Sequence, residues 1–230
     1  LLAAPDGHKL YNKHCSACHN EGGIGGIGLP LNSYKIESFS RDYVFKTIRL
    51  GREGRVMPAF DALSDAQINA LVDYIFLWKK NPVDINYSTE PVVGNPTRGK
   101  ILFEQHCAEC HGKDGKSEGV GTGVSSSRER EFQVIPPALN NPGFLAAATD
   151  VWIKKTVTEG RPGTIMPSSK KLKLSPSDIN HIVSYVRSFQ ASYTAPTALE
   201  ENQPTLVFDS PYDFDTTVSN LKLSLQGKNF

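Results

Sequence analysis

The chain has 230 residues, which exceeds one average domain and predicts two. Hydrophobic residues make up 39% and charged residues 21% of the chain, as in an ordinary globular protein, and the formal net charge of +1 argues against a nucleic acid partner. No stretch reaches the roughly 18 consecutive apolar residues that a transmembrane helix needs, so we expect no membrane span in this chain.

A short cysteine motif occurs twice and is the first sign of an internal repeat. Residues 15–19 read CSACH and residues 107–111 read CAECH. Each motif follows a predicted helix, and the residues that match before it are Gly7, Leu10 and Tyr11 in one copy and Gly99, Leu102 and Phe103 in the other. Such self-similarity predicts two copies of one structural unit.

A second repeated block surrounds the two methionines of the chain. The matched residues are Thr47, Gly51, Arg52, Met57 and Pro58 in the first copy and Thr156, Gly160, Arg161, Met166 and Pro167 in the second. A single methionine is more often an adaptable core residue than a ligand, but two at equivalent places indicate a shared role. The second copy is longer between its histidine and its methionine, which predicts an exposed loop over 119–133.

Each copy ends with a predicted amphipathic helix. The apolar residues at helical spacing are Ile68, Leu71, Val72 and Ile75 in the first copy and Ile179, Ile182, Val183 and Val186 in the second. The pattern predicts a first domain over 1–81, a Pro-containing linker over 82–95 and a second domain over 96–190. A further linker over 191–203 precedes a C-terminal segment, 204–230, with a strand-like stretch and a helix-like stretch.

The two cysteine motifs have the spacing of covalent attachment sites for haem c. Two thiols separated by two residues can form thioethers with the two vinyl groups of one porphyrin, and the next histidine then faces the iron. A zinc site is a poorer interpretation, because it does not explain a histidine directly after each pair or the matched Met-Pro. Structural disulfides are poorer still, because a two-residue loop constrains little of the chain.

From Pro5 to Gln190 the order of features resembles the class I cytochrome c family: helix, Cys-x-x-Cys-His, Gly/Pro-rich loop, short helix, Met-Pro loop and terminal helix. The resemblance implies a mainly α fold of two tandem cytochrome c domains, each a few helices around one covalently bound haem c. For the first haem it implies Cys15, Cys18, His19 and Met57. For the second haem it implies Cys107, Cys110, His111 and Met166. In each set the cysteines attach the porphyrin, the histidine is the proximal iron ligand and the methionine is the distal ligand.

The resemblance also implies further contacts of each haem. In that family a proline after the histidine orients the imidazole through its carbonyl group, and Pro30 and either Pro136 or Pro137 are the similar residues here. Arg52 and Arg161 stand where a guanidinium pairs with a haem propionate, and a solvated surface arginine is an equally good interpretation.

Two aromatic residues and a lysine cluster lie near the predicted haems. Tyr43 and Trp152 occupy equivalent positions in the middle helices, where we expect core packing against haem. Lys170, Lys171 and Lys173 follow the second methionine, where they form either a docking surface for an acidic redox partner or a solvated loop.

The predicted function is transfer of single electrons between redox partner proteins, a donor dehydrogenase and an acceptor oxidase or cytochrome, through two His/Met-ligated haems. The alternative is a dihaem enzyme of the thiosulfate-oxidising or peroxide-reducing type with one labile distal ligand. A third interpretation is a relay subunit bound in a larger dehydrogenase or oxidase complex.

Haem attachment occurs outside the bacterial cytoplasm in this family, which implies a periplasmic or exported protein. The C-terminal segment resembles the start of a small α+β domain that occurs fused to bacterial cytochromes, and a strap packed on the haem domains is the alternative interpretation.

Overall fold

The computed structural model describes residues 4–26, 28–32, 36–53, 55, 57–81, 84–117, 136–161, 164–191, 213 and 216–219. Every regular element in these ranges is helical, which confirms the predicted mainly α class. The predicted loop over 119–133 and the strand-like Thr205–Phe208 lie outside the described residues. In the C-terminal segment, residues 216–219 are helical, and the Asp213 carboxylate caps them by accepting from Thr216 N at 2.9 Å.

The helices divide between two units that follow the sequence repeat. The helices of the first unit (residues 1–81) are α1 (Gly7–His14), α2 (Ser16–His19), α3 (Arg41–Leu50) and α4 (Asp65–Phe76), with a 3-10 turn at Glu21–Gly23. The helices of the second unit (residues 96–191) are α5 (Pro96–His106), α6 (Ala108–His111), α7 (Pro142–Ala147), α8 (Asp150–Glu159), α9 (Ser169–Leu172) and α10 (Pro176–Ala191).

Side-chain caps set where the terminal helix of each unit begins. At α4, Ser64 Oγ accepts from Gln67 N at 3.3 Å and Gln67 Oε1 accepts from Ser64 N at 2.9 Å, which is a capping box. Before α10, Ser175 Oγ accepts from Asp178 N at 3.1 Å and Asp178 Oδ2 accepts from Ser175 N at 3.0 Å. These reciprocal hydrogen bonds set the first residue of each terminal helix.

In each unit the first helix crosses the terminal helix at a glycine. A Cβ atom at Gly7 would lie 2.1 Å from the Ala70 carbonyl oxygen, and one at Gly99 would lie 1.9 Å from the His181 carbonyl oxygen. Only a residue without a Cβ atom lets the two backbones approach this closely. The matched crossings show that the repeat in the sequence is a repeat in the structure.

Each unit has its own buried core beside this crossing. Tyr11 is fully buried in the first core and meets the Trp78 ring edge-on, with 5.1 Å between ring centroids. Its counterpart Phe103 is fully buried in the second core, 5.3 Å from the Tyr185 ring. The buried core also contains the residues that the helical periodicity predicts, Ile68, Leu71, Val72 and Ile75 in the first unit and Ile179, Ile182, Val183 and Val186 in the second.

The segment between the units is hydrogen-bonded to both of them. Tyr87 Oη donates to the Ser38 carbonyl oxygen of the first unit at 2.9 Å. Val92 N donates to Asp150 Oδ2 of the second unit at 2.8 Å. The described residues of this segment, 84–95, therefore contact both units.

Candidate haem sites

Each attachment motif places its first cysteine at a helix junction and its histidine at the end of a short helix. Cys15 and Cys107 adopt nearly the same backbone angles, with φ of −119° and −122°. Burial raises the pKa of the Cys15 thiol to about 11 and that of the Cys107 thiol to about 12, and the second cysteine of each motif adds to the effect. All four cysteines are free. In the described ranges, no three or more His, Cys, Asp or Glu side chains come together as a metal site.

Both motif histidines are oriented by a main-chain carbonyl group. His19 Nδ1 donates to the Leu29 carbonyl oxygen at 2.8 Å, and His111 Nδ1 donates to the Pro137 carbonyl oxygen at 3.1 Å. Because a carbonyl oxygen can only accept, Nδ1 carries the proton and Nε2 keeps its lone pair for a metal. Burial lowers the pKa of His19 and of His111, which favours the neutral form that a metal ligand needs.

The structure corrects the predicted role of Pro30. The carbonyl group that orients His19 belongs to Leu29, one residue earlier, whereas in the second unit it belongs to Pro137. The two loops align through Leu31 N and Leu139 N, each of which donates a 2.8 Å hydrogen bond to a glycine of its own loop. This register places Leu29, and not Pro30, opposite Pro137. The Leu-Asn dipeptide that begins at each of these leucines is the sequence signal for the register.

Met57 and Met166 each lie in a loop that is closed by the same backbone hydrogen bond. Arg52 N donates to the Met57 carbonyl oxygen at 2.9 Å, and Arg161 N donates to the Met166 carbonyl oxygen at 3.1 Å. Each loop begins at a glycine with positive φ, 61° in the first unit and 68° in the second, a conformation that strains other residues. Both methionines are half-buried, and Met57 packs against the first core. Each unit therefore has one methionine at the equivalent position of its loop.

The two matched arginines have different partners. The Arg52 guanidinium donates to Tyr43 Oη at 3.2 Å, and to Thr47 Oγ1 and the Gly51 carbonyl oxygen at the C-terminal end of α3. The Arg161 guanidinium lies over the Trp152 ring, 5.1 Å from its centroid, and over the Phe39 ring at 5.7 Å. Burial lowers the pKa of Arg161, and within the described residues no carboxylate is paired with it. A buried cation without a carboxylate is costly, and an anion such as a haem propionate would compensate it.

These side chains fit a covalently attached haem c in each unit. Each motif offers two free thiols and an imidazole whose Nε2 is available, and each methionine loop offers a thioether sulfur. The loop after the first motif approaches the ring closely, since a Cβ atom at Gly28 would lie 2.5 Å from His19 Cε1. Histidine and methionine together are the axial ligands of low-spin cytochromes c, in which methionine raises the reduction potential.

Tyr43 and Trp152 stack on each other across the boundary between the units. Their ring centroids are 4.7 Å apart and the ring planes differ by 26°. Trp152 Nε1 also donates to the Ser38 carbonyl oxygen of the first unit at 3.1 Å, and Trp152 is 3% exposed. The sequence predicted core packing for both residues but not their contact, because a repeat shows which positions are equivalent and not how the copies meet.

Two helical units, each with an attachment motif, an oriented histidine and a methionine loop, define a class I c-type cytochrome with two haem domains. The family model described as cytochrome c oxidase, cbb3-type, subunit III matches residues 2–75 and 94–186 of the chain. The chain belongs to this family. Its two cytochrome c domains each hold one haem c, as the sequence predicts.

Several curated relatives are cbb3-type oxidase subunits. The subunit CcoP of Azospirillum sp. (strain B510) is 28% identical over 203 residues, which cover 81% of this chain and 62% of the relative. CcoP of Rhodobacter capsulatus is 25% identical over 79% of this chain and 61% of its own length. The subunit FixP of Azorhizobium caulinodans is 26% identical over 81% of this chain and 60% of its own length. The chain thus spans about three fifths of the length of these relatives.

A solved structure supports the fold. A chain of the reducing HAO-like protein complex of Kuenenia stuttgartiensis superposes with a TM-score of 0.52 at 22% identity, covering 80% of this chain and 94% of that one. In the described part of this chain, no helix combines the length and the apolar character that crossing a bilayer requires.

Proposed function

We propose that this chain is an electron relay of a cbb3-type oxidase, which receives single electrons from a donor protein and passes them through two haems to the oxidase. The observation that carries the proposal is the pairing of two equivalent His/Met sites across one interface, where Tyr43 and Trp152 stack at 4.7 Å. A chain that keeps two such sites together gives electrons a short path between them. The family and the named relatives support the oxidase as the acceptor.

The proposed haem contacts follow the repeat. The residues assigned to the first haem are Cys15, Cys18, His19 and Met57, and those assigned to the second are Cys107, Cys110, His111 and Met166. When bound, each haem supplies an iron that gains or loses one electron. The carbonyl groups of Leu29 and Pro137 hold the histidine rings so that Nε2 points to the metal. Arg161, which is half-buried beside Trp152, is assigned to a propionate of the second haem.

We assign the chain as a carrier and not as an enzyme in its own right. Catalysis at a haem iron requires a ligand position that substrate can occupy, and each unit instead offers a methionine on a loop closed by a backbone hydrogen bond. The alternative, a thiosulfate-oxidising or peroxide-reducing dihaem enzyme, requires one of these methionines to be absent from the iron.

Domain division, location and partners belong to the same proposal. We assign residues 1–81 and 96–190 as the two haem domains and place them in the periplasm, where haem c is attached in this family. The donor is then a dehydrogenase or a cytochrome, and the acceptor is an oxidase subunit in the same complex.

An anaerobic reductive titration of the haem-loaded chain tests the proposal. We expect two electrons per chain, no binding of carbon monoxide by the reduced haems, and reoxidation of the reduced chain by a cbb3-type oxidase depleted of its own subunit III. Binding of carbon monoxide at one haem per chain would contradict the carrier assignment and favour the dihaem enzyme. Failure of the depleted oxidase to reoxidise the chain would contradict the oxidase as acceptor.

A further inference from the structure

The first methionine loop, of which residues 51–53, 55, 57 and 58 are described, forms hydrogen bonds with the second unit. Asn141 Nδ2 donates to the Glu53 carbonyl oxygen at 2.8 Å, and Asn141 itself is 4% exposed. The Arg55 guanidinium donates to the Lys116 carbonyl oxygen. The loop that carries the assigned distal ligand of one haem is therefore fastened to the domain of the other haem.

The two backbones also approach each other closely at Gly143, near the start of α7. A Cβ atom at Gly143 would lie 2.3 Å from the Gly51 carbonyl oxygen. Gly51 is itself in tight contact with the far end of the loop, because a Cβ atom there would lie 2.4 Å from the Pro58 carbonyl carbon. Since packed backbones transmit displacement, a shift at Gly51 reaches Pro58, which directly follows Met57.

The Arg55 contact leads from this loop toward the second attachment motif. Lys116, whose carbonyl group accepts from Arg55, is followed by Ser117, and Ser117 N donates to the His111 carbonyl oxygen at 2.8 Å. A continuous series of contacts therefore joins the methionine loop of the first unit to the histidine segment of the second unit.

We propose that the second unit positions Met57. Asn141 and Gly143 hold the first methionine loop in the conformation that keeps Met57 on the iron of the first haem, so methionine ligation in the first unit depends on its fit against the second. Both act as positioning residues through the loop backbone. The inference rests on the proposed function, which assigns Met57 as a distal ligand.

Two substitutions separate this role from a general effect on the fold. Gly143→Ala improves the helix propensity of α7 and at the same time presses a methyl group against Gly51. Asn141→Asp keeps the oxygen that accepts from Phe144 N at 3.1 Å, and so keeps the helix cap, but it removes the amide donor to Glu53.

A matched control uses the same change at another helix cap. Asn95 Oδ1 caps α5 by accepting from Arg98 N at 3.0 Å, as Asn141 caps α7. Asn95→Asp therefore repeats the chemical change away from the methionine loop. We expect it to match the wild-type chain in every haem signal.

The experiment uses the full haem-loaded chain and reads two signals: the weak long-wavelength absorption band of methionine-ligated ferric haem, per total haem, and the two midpoint potentials. We expect Gly143→Ala to lower the band to about half, because one of two methionine ligands is lost, and to lower one potential while the other stays unchanged. Asn141→Asp should act in the same direction with a smaller loss.

Three results would overturn the inference. An unchanged band and unchanged potentials in both variants would show that the second unit does not position Met57, and would leave the proposed function intact. An equal shift of both potentials would assign the effect to general loosening of the chain. A wild-type band for fewer than two methionine ligands would overturn the ligand assignment, and with it this inference.

Discussion

The contact between the two units should be measurable as a coupling energy between Tyr43 and Trp152. Trp152 is 3% exposed, so Trp152→Ala should cost about 3–5 kcal/mol of unfolding free energy. Tyr43 is half-buried, and Tyr43→Ala should cost less. Because the rings stack at 4.7 Å, the double variant should be more stable than the sum of the single losses predicts, by about 0.5–1.5 kcal/mol.

Urea unfolding of the haem-loaded chain, followed by far-ultraviolet circular dichroism, gives the four free energies of this cycle. Tyr185→Ala combined with Tyr43→Ala is the control pair, since the ring contacts of Tyr185 are with Phe103 and Phe189 of its own unit. The control pair should be additive to within about 0.3–0.5 kcal/mol. A Tyr43–Trp152 coupling energy no larger than that of the control pair would refute the stacked interface.

Three further predictions concern stability. Burial raises the pKa of Tyr11, so the protonated phenol contributes fully to the free energy of unfolding below about pH 10, and this contribution is lost as pH rises toward the folded-state pKa. In unfolding curves measured at alkaline pH, Tyr11→Phe should therefore lose less stability than the wild-type chain. Asp150→Ala leaves the mostly buried Arg187 without its carboxylate and should cost about 3–5 kcal/mol in urea unfolding, and a loss under about 1 kcal/mol would contradict a buried ion pair. Gly99→Ala should lower the thermal midpoint although alanine favours helices, because its Cβ would lie 1.9 Å from the His181 carbonyl oxygen; an unchanged midpoint would refute the close crossing.

The features that the sequence predicts well are those that one copy of the repeat shares with the other. The attachment motifs, the methionine loops and the amphipathic terminal helices each appear twice, with the same spacing of residues inside each feature. The capping pairs Ser64–Gln67 and Ser175–Asp178 begin the terminal helices where local hydrogen-bonding rules place them. Helix boundaries and core residues follow from such local rules, and the repeat supplies an independent check on them.

The features that the sequence does not predict depend on contacts between distant backbone segments. Leu29 orients His19 through its carbonyl group, which every residue type possesses, so the presence of a proline pointed to Pro30 and only the matched Leu-Asn dipeptides give the register. Gly143 matters because of the Gly51 carbonyl oxygen it meets across the interface. The Gly143 contact has no periodic or compositional signature, since it arises only when the two units pack together.

The measurement that tests the central claim most directly is the absorption spectrum of the oxidised chain, in which the weak long-wavelength band of methionine-ligated ferric haem is compared with total haem. Met57 and Met166 are the two methionines of the chain and occupy equivalent loops, so no other residue of the chain can supply a thioether from methionine. A relay with two His/Met-ligated haems predicts the band intensity of two methionine ligands per chain. Half of that intensity, or a high-spin ferric signal, would contradict the account and indicate an open iron site suited to catalysis.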